Sequence, residues 1–364
     1  MHLSSTLSIY LAKKFLIGLA FTFIILMAIV FLVDTVELLR RAGKTESAGF
    51  AIALQLAALK LPTLMLKLLP FAALFGAVWT FASLTRSHEL VVARAAGVSA
   101  WQFLAPAIGL AFGVGVLAVV AFNPVASVMV SKYERLESDV LEGRASQLAV
   151  SDSGLWLRQA NDKGQAVIHA TSVSSGGAEL RNVIVFTYSG SDTFVARIDA
   201  ESARLQNKYW DISKAVITYA NQEVENLDNY RLATDLSLED IHDSFAPPET
   251  LSFWSLPGFI KSLETAGFSA FRHRLHWHGL LAMPLLLSAM VILAATFTMR
   301  QSRRGGAGVM IASGVMAAFV LYFVSDIVSA FGLAGTLPVA LAAWMPAGLS
   351  ILLGLALMLH LEDG

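Results

Sequence analysis

The chain has 364 residues, of which 56% are hydrophobic and 15% are charged, and its mean hydropathy is +0.63. A soluble domain of this length does not need so much apolar sequence to fill its core, so the composition indicates a membrane protein. The net charge of −1 gives no reason to expect a nucleic-acid partner, and the absence of cysteine excludes disulfides, thiolate metal sites and a cysteine nucleophile.

Six apolar stretches are long enough to cross a bilayer, whose hydrocarbon core needs roughly 20 apolar residues in a helix. Five of them are clear candidates: Phe15–Val33, Trp101–Phe122, Gly279–Met299, Ala307–Ala330 and Val339–His360. The sixth, Leu61–Leu84, contains Lys67 and two prolines, which can bend a transmembrane helix without ending it. The segment Ala51–Lys60 is interpreted as an interfacial lead-in, and the first stretch, which lacks a cleavage motif, as an uncleaved anchor.

Between Pro124 and Pro257 the sequence becomes polar and rich in turn residues. The runs LRNVIVFTYSG, DTFVARIDAESARL and YWDISKAVITYA alternate β-branched or aromatic residues with polar ones, which predicts strands. About 120 residues suffice for a two-layer core, so a sandwich or jelly roll is expected. The fold class is then an α-helical membrane protein with three spans in residues 1–127, a jelly-roll-like all-β domain in residues 128–256, and three spans in residues 257–364.

The positive charges of the short loops predict the orientation, because cytoplasmic loops carry more Lys and Arg. If the spans alternate, one side receives Lys13, Lys14, Arg86, Arg94, Arg300, Arg303 and Arg304. The other side receives three basic residues that two acids dilute, namely Arg40, Arg41, Lys44, Glu37 and Glu46. The first side is assigned to the cytoplasm, so both termini are expected inside and the β domain outside.

The loop between spans two and three, SLTRSHELVVARAAG, carries the signals of a short helix over residues 86–97. Thr85 or Ser87 is expected to cap its start, Glu89 lies in the first turn where the helix dipole favours an anion, and Gly97 ends it. Ser99 is expected to cap span three.

Two interpretations of this helix are open. Leu90, Val91 and Ala95 fall at apolar spacing, while Glu89 and Arg94 are free to face the cytosol. The helix could simply turn the chain around at the membrane interface. Alternatively, it is a surface by which a separate partner moves the membrane helices.

Signals for chemistry within the chain are weak. Gly43, Lys44 and Thr45 suggest a phosphate loop, but Leu38 stands where that motif requires glycine. His273, His276 and His278 in RHRLHWHG have a spacing that could hold a metal, but no acid accompanies them, and such residues commonly anchor helices at membrane interfaces. Neither an enzyme nor a metal site is therefore predicted.

SHELVVARAAGVS, set among three spans, an inserted β domain and three more spans, resembles the LptF/LptG permease family of the lipopolysaccharide export system. The resemblance covers essentially the whole chain. Four further segments resemble the LptG branch of that family most: IYLAKKF, FLVDTVELLRRAG, LPFAALFGAVWTFASL and LPGFIKSLETAG.

The resemblance implies a subunit of an ABC-type transporter in the bacterial inner membrane, with an LptF-like second permease. An LptB-like ATPase homodimer would use ATP and Mg, and this chain would need no cofactor of its own. The cytoplasmic helix, with Glu89, Leu90, Val91 and Arg94, would dock in a groove of the ATPase, where Glu89 would meet a basic residue. The β domain would join LptC-like and LptA-like adaptors in a periplasmic bridge.

A phosphorylated lipid with several acyl chains needs an apolar cavity open to the bilayer and cations near its outer rim. The candidate substrate-binding residues are Lys60, Lys67, Lys132, Arg135, Asp34 and Asp326. The basic residues could instead snorkel or pair with acids. The two aspartates, expected at the same outer level, could neutralise the lysines or bind the substrate through divalent cations.

Two other functions are compatible with the sequence. One is a related ABC-type permease that moves another lipid or extracts lipoproteins. The other is a scaffold without transport activity whose β domain binds envelope partners.

Overall fold

The computed structural model describes residues 5–43, 50–137, 147–151, 154–161, 164–173, 179–189, 193–206, 208–220, 223–234, 247–265, 269–298, 307–333 and 336–362. The chain divides into a helical unit, Met1–Tyr133 with Arg274–Gly364, and a second unit, Glu134–His273. Some residues of the orientation argument lie outside the described residues: Lys44, Glu46, Arg300, Arg303 and Arg304.

Long helices dominate the described part of the helical unit. In chain order the α-helices of the described residues are α1 Ser5–Ala42, α2 Phe50–Arg86, α3 Glu89–Ala95, α4 Ala100–Leu117, α5 Asn123–Glu137, α6 Leu256–Thr265, α7 Phe271–Thr298, α8 Ala307–Leu333 and α9 Val339–Glu362. Of these, α6 belongs to the second unit. A π-helical turn, Ala118–Phe122, joins α4 to α5 in one continuous helix.

By length and composition, five helical segments within the described residues can cross a membrane: Ser5–Arg41, Phe50–Arg86, Ala100–Glu137, Phe271–Thr298 and Val339–His360. The remaining predicted span, Ala307–Ala330, lies within α8, a helix of 27 residues. All six predicted spans thus fall in helices, except that Met299 lies outside the described residues. The protein is a multi-pass membrane protein.

Two predicted boundaries differ from the structure. The first concerns Ala51–Lys60, which is the first part of α2; this helix continues through Pro62 and Pro70 without a break.

The second boundary is the start of the β domain. Residues 128–137, assigned from the sequence to that domain, continue the helix of span three as α5. The π-turn directly before Pro124 loosens the backbone where the proline ring would otherwise crowd the preceding turn. The polar sequence of α5 still buries residues at helical spacing: Asn123, Ala126, Ser127, Val130 and Tyr133.

Helices α1 and α2 cross with their backbones in contact. A Cβ added to Gly18 would lie 2.9 Å from the Gly76 carbonyl oxygen, and one added to Gly76 would lie 2.7 Å from the Leu19 Cα. Nearby, the Thr22 hydroxyl donates a hydrogen bond of 3.2 Å to the Ala72 carbonyl. Small residues and hydroxyl bonds of this kind hold membrane helices together, because lipid is as apolar as the helix surfaces.

The core of the helical unit lies among α1, α2, α4 and α7. Phe15, Phe81, Leu104 and Leu287 are each at most 3% exposed and belong to one buried cluster. Leu90 of α3 belongs to the same cluster. The short helix is therefore packed onto the spans and does not stand away from them.

The second unit contains one seven-stranded antiparallel sheet. Its strands are β1 Gln147–Ser151, β2 Gly154–Asn161, β3 Gly164–Val173, β4 Glu179–Ser189, β5 Thr193–Gln206, β6 Tyr209–Tyr219 and β7 Val224–Ala233. Each strand pairs with the next, so the spatial order is the order of the sequence. This is a meander, without the crossed connections of a Greek key.

The sheet is rolled over on itself, as Gln159 shows. This β2 residue accepts hydrogen bonds from the Trp210 indole of β6 at 3.2 Å and from the Thr234 hydroxyl at 2.7 Å, and it donates one to the Ala233 carbonyl at 3.1 Å. Strands β2 and β6 are not neighbours in the sheet, so these bonds require two layers. The predicted inserted β domain with two layers is confirmed, and its layers are formed by two halves of one bent sheet.

The bend follows a line across the central strands. Pairing is interrupted without a change of register at Asn182 in β4, Glu201 in β5 and Lys214 in β6. Asn182 and Lys214 have φ angles of 50° and 54°, in the left-handed region that few side chains adopt. The Lys214 ammonium lies 2.5 Å from the Glu201 carboxylate across the bend.

Candidate functional site

The start of α3 differs from the sequence prediction. Its N-cap is His88, with φ 61° and no side-chain capping bond. Thr85 is still within α2, where its hydroxyl donates to the Phe81 carbonyl at 2.8 Å, and the Ser87 hydroxyl donates to the Glu89 side chain at 2.8 Å. The predicted caps were wrong because α2 runs further than its apolar pattern, and neither hydroxyl bonds to a backbone N–H of α3.

The end of α3 was predicted correctly. Gly97 has φ +82°, and its N–H donates to the Arg94 carbonyl at 2.9 Å, while the Val98 N–H donates to the Ala93 carbonyl at 3.1 Å. These two bonds are the Schellman pattern that favours glycine after a helix. Ser99 then forms a reciprocal capping box with Gln102 at the start of α4.

The Glu89 carboxylate is held by side chains from two directions. Oε1 accepts hydrogen bonds from the Lys14 ammonium and the Ser87 hydroxyl, both at 2.8 Å, and Oε2 accepts one from the Tyr10 hydroxyl at 2.9 Å. The Lys14 ammonium also lies 4.8 Å from the centre of the Tyr10 ring. Tyr10 and Lys14 belong to α1, so Glu89 joins the loop helix α3 to the first span.

These contacts set the charge of Glu89. Burial raises the pKa of Glu89, but hydrogen bonds from Lys14, Ser87 and Tyr10, with the charge of Lys14, together lower it further than burial raises it. The net pKa is below the ordinary value for glutamate. Glu89 is therefore a fixed anion at neutral pH.

The other predicted coupling residues occupy different faces of α3. Leu90 is 5% exposed and lies in the core, whereas Val91 is 43% exposed and Arg94 is exposed. Val92, which was not among the predicted residues, is 68% exposed and is the most exposed of these apolar side chains. Val91, Val92 and Arg94, together with Ala95, form an outward surface, named here the α3 surface.

Near the other end of the helical unit, two candidate substrate residues form an ion pair. The Lys60 ammonium of α2 lies 2.5 Å from Oδ1 of Asp34 in α1, with side chains 32% and 15% exposed. The same ammonium lies 5.7 Å from the centre of the Tyr133 ring in α5. The structure thus brings Asp34 and Lys60 together, and the pair is neutral as a unit.

The remaining candidates are all exposed. Lys67 is exposed on α2, Lys132 and Arg135 are exposed on α5, and Asp326 is exposed on α8. Within the described part of the chain, Lys132 and Asp326 form no ion pair.

Arg40 and Arg41, which in the sequence bear only on the orientation, share one acidic partner. Both guanidinium groups bond to Glu37 within α1, at 2.8 and 3.1 Å. Spacings of three and four residues already indicate such pairs. Glu37 carries one negative charge and the two arginines carry two positive charges, so these three residues have a net positive charge.

The histidines of RHRLHWHG have separate environments. His273 is 4% exposed, and its ring lies 5.0 Å from that of Phe259. His278 accepts a hydrogen bond of 3.4 Å from the Trp344 indole. Within the described residues no group of three His, Cys, Asp or Glu side chains is placed to hold a metal ion.

Comparison with known proteins agrees with this architecture. The family model for the lipopolysaccharide export system permease LptF/LptG matches residues 9–360. The permease protein LptG of Escherichia coli strain K12 is 21% identical over 357 residues, which cover 96% of this chain and 97% of that protein. The LptG protein of Haemophilus influenzae is 23% identical over 363 residues, with the same coverage of 96% and 97%.

The match extends through both the helical unit and the β domain. It confirms the resemblance first seen in SHELVVARAAGVS and in the order of the spans, and it does not favour a scaffold or a permease for another cargo. The chain therefore belongs to the LptF/LptG family of lipopolysaccharide export system permeases.

Proposed function

We propose that this chain works in an ABC-type transporter that extracts lipopolysaccharide from the inner membrane, driven by a separate LptB-like ATPase dimer that docks on the α3 surface. The observation that carries the proposal is the placement of α3. Leu90 and Glu89 fix the helix to the spans, while Val91, Val92 and Arg94 face outward. A short helix held rigidly behind an exposed apolar and basic surface can transmit a push from a partner.

A second, LptF-like permease is the natural partner within the membrane. Only 17% of the residues in the most apolar stretch of α1 are buried, whereas 72% of the residues in the corresponding stretch of α7 are buried. The exposed apolar side chains of α1 and α8 include Ile17, Phe21, Ile24, Met316, Phe319 and Phe323. Two such permeases facing each other would enclose a cavity with an apolar wall suited to acyl chains.

The phosphates of the substrate require cations near the outer end of this cavity. Lys60 is neutralised by Asp34, so Lys132, which is exposed and forms no ion pair within the described part of the chain, is the better candidate for direct contact. Asp326, exposed on an apolar helix, is more compatible with a watery cavity than with lipid. Its carboxylate could meet the substrate through a divalent cation.

The β domain fits a role in a periplasmic bridge. Its edge strands are β1 and β7, and most side chains of β7 are exposed. An exposed edge strand offers unpaired N–H and C=O groups to a strand of another β domain, as in LptC-like or LptA-like adaptors. This arrangement requires a periplasmic β domain and cytoplasmic termini.

The docking proposal is tested with Val92→Asp, in a complex of the tagged chain, the second permease and the ATPase. An unpaired carboxylate in an apolar interface should weaken ATPase binding by about 2 kcal/mol or more. The matched control is Val195→Asp, an exposed valine on β5. The measurements are the ATPase retained on the tagged chain and the lipopolysaccharide released on addition of ATP.

Loss of retained ATPase in Val92→Asp alone supports the proposal. Equal retention in both variants and the unaltered chain would place the ATPase elsewhere.

A further inference from the structure

We infer that Tyr10 and Lys14 are positioning residues that fasten α3 to the first membrane span, so that a displacement of α3 passes directly into α1. The inference rests on the proposed function, because it supposes that a partner moves α3. It concerns a connection inside this chain, whereas the docking proposal concerns the outward surface.

The geometry supports a firm connection. Tyr10 and Lys14 are four residues apart on α1 and therefore lie on the same helical face. They bind different oxygens of one carboxylate, Tyr10 at Oε2 and Lys14 at Oε1. Contact with both oxygens restrains the orientation of the Glu89 side chain as well as its position.

The residue after Glu89 belongs to the apolar core. Leu90 lies in the buried cluster that also contains Leu11 and Phe15 of α1. The cluster thus includes α3 and the segment of the first span that holds Tyr10 and Lys14. Lys14 lies in α1 four residues before Gly18, where the backbones of α1 and α2 are in contact.

The connection also limits how many hydrogen bonds the Glu89 carboxylate can accept from a partner. A carboxylate has about four acceptor positions. Three hydrogen bonds from within the chain leave room for about one more. Glu89 can therefore accept a bond from the ATPase only as an addition to its internal partners, and the internal role has to be tested separately.

The first test compares Lys14→Met with Lys13→Met in the assembled complex. Lys13 is the adjacent lysine, is exposed, and has no hydrogen bond with Glu89. The readout is the number of lipopolysaccharide molecules released per ATP hydrolysed, with retained ATPase and thermal stability measured in parallel. This ratio should fall about fivefold in Lys14→Met, the effect of losing one partly exposed ion pair, and stay near the unaltered value in Lys13→Met.

The second test exchanges the two charges, as Lys14→Glu with Glu89→Lys. If Glu89 acts through Lys14, the exchange should restore most of the ratio that Glu89→Lys loses alone. Tyr10→Phe, which removes one hydrogen bond and keeps the ring, should lower the ratio less than Lys14→Met.

Two results would overturn the inference in a complex whose unaltered form transports lipopolysaccharide. One is an equal ratio in Lys14→Met and Lys13→Met. The other is an exchanged pair no better than Glu89→Lys, which would assign Glu89 to the ATPase alone. An unaltered complex that binds no ATPase would instead contradict the proposed function, so the two failures are distinguishable.

Discussion

Glu89, in the loop helix between the second and third spans, accepts a hydrogen bond of 2.8 Å from Lys14 of the first span, 75 residues earlier in the chain. The bond makes the exposed loop helix part of the membrane bundle. It also gives the loop a charged contact whose strength depends on pH.

Glu89→Gln should reduce thermal stability at neutral pH, and the difference from the unaltered chain should vanish in acid. The pKa of Glu89 is lowered by folding, so its contribution is complete above the ordinary glutamate value of 4.5 and is lost as the pH falls through the lower value of the folded protein. The measurement is the melting temperature of both proteins in detergent across this pH range. A difference that grows toward acid pH would contradict the assignment.

Asp34→Leu should be more destabilising than Asp34→Leu combined with Lys60→Leu. Removing one partner leaves Lys60 half-buried among apolar helices without its counter-ion, at a cost of about 2 kcal/mol, whereas removing both also removes the desolvated charge. Chemical or thermal unfolding of the three proteins in detergent gives the comparison. If the double variant proves the least stable, the pair is a net stabilising contact of the fold.

Gly76→Ala should destabilise the helical unit by about 1–3 kcal/mol, because the new methyl group would meet the backbone of Leu19 at 2.7 Å. The matched control is Gly109→Ala in α4, where an added Cβ has nothing within 4 Å. The control should be neutral or more stable by about 0.5–1 kcal/mol, since alanine favours a helix. Similar melting temperatures for both variants would contradict the close crossing of α1 and α2.

A cysteine at Gln206 should react with a membrane-impermeant thiol reagent added to spheroplasts, whereas a cysteine at Ala96 should react only after the membrane is opened. Both side chains are exposed, Gln206 on β5 and Ala96 at the end of α3, and the chain has no other cysteine. The positive charge of the short loops predicts this pattern. Reaction of Ala96→Cys in intact spheroplasts would reverse the orientation.

Local patterns in the sequence determined the spans, the inserted β domain and the end of α3. Apolar length predicts a membrane helix, alternation predicts a strand, and Gly97 with Ser99 specifies a helix end followed by a new start. Each of these signals acts within a few residues or one helix, so it can be recognised without knowing what the segment packs against. The predicted start of the β domain at residue 128 differs from the structure, because the polar sequence of α5 conceals a helical pattern of buried residues.

Tertiary structure alone decided which charges meet and which side of α3 faces outward. Glu89 with Lys14 and Asp34 with Lys60 are pairs between helices, and the crossing of α1 with α2 and the packing of α3 select them from several acids and bases of similar depth. A helix of seven residues completes only about two turns, so its apolar spacing does not distinguish Leu90, which is buried, from Val92, which is exposed. Contact with the core of α1, α2 and α4 makes that choice.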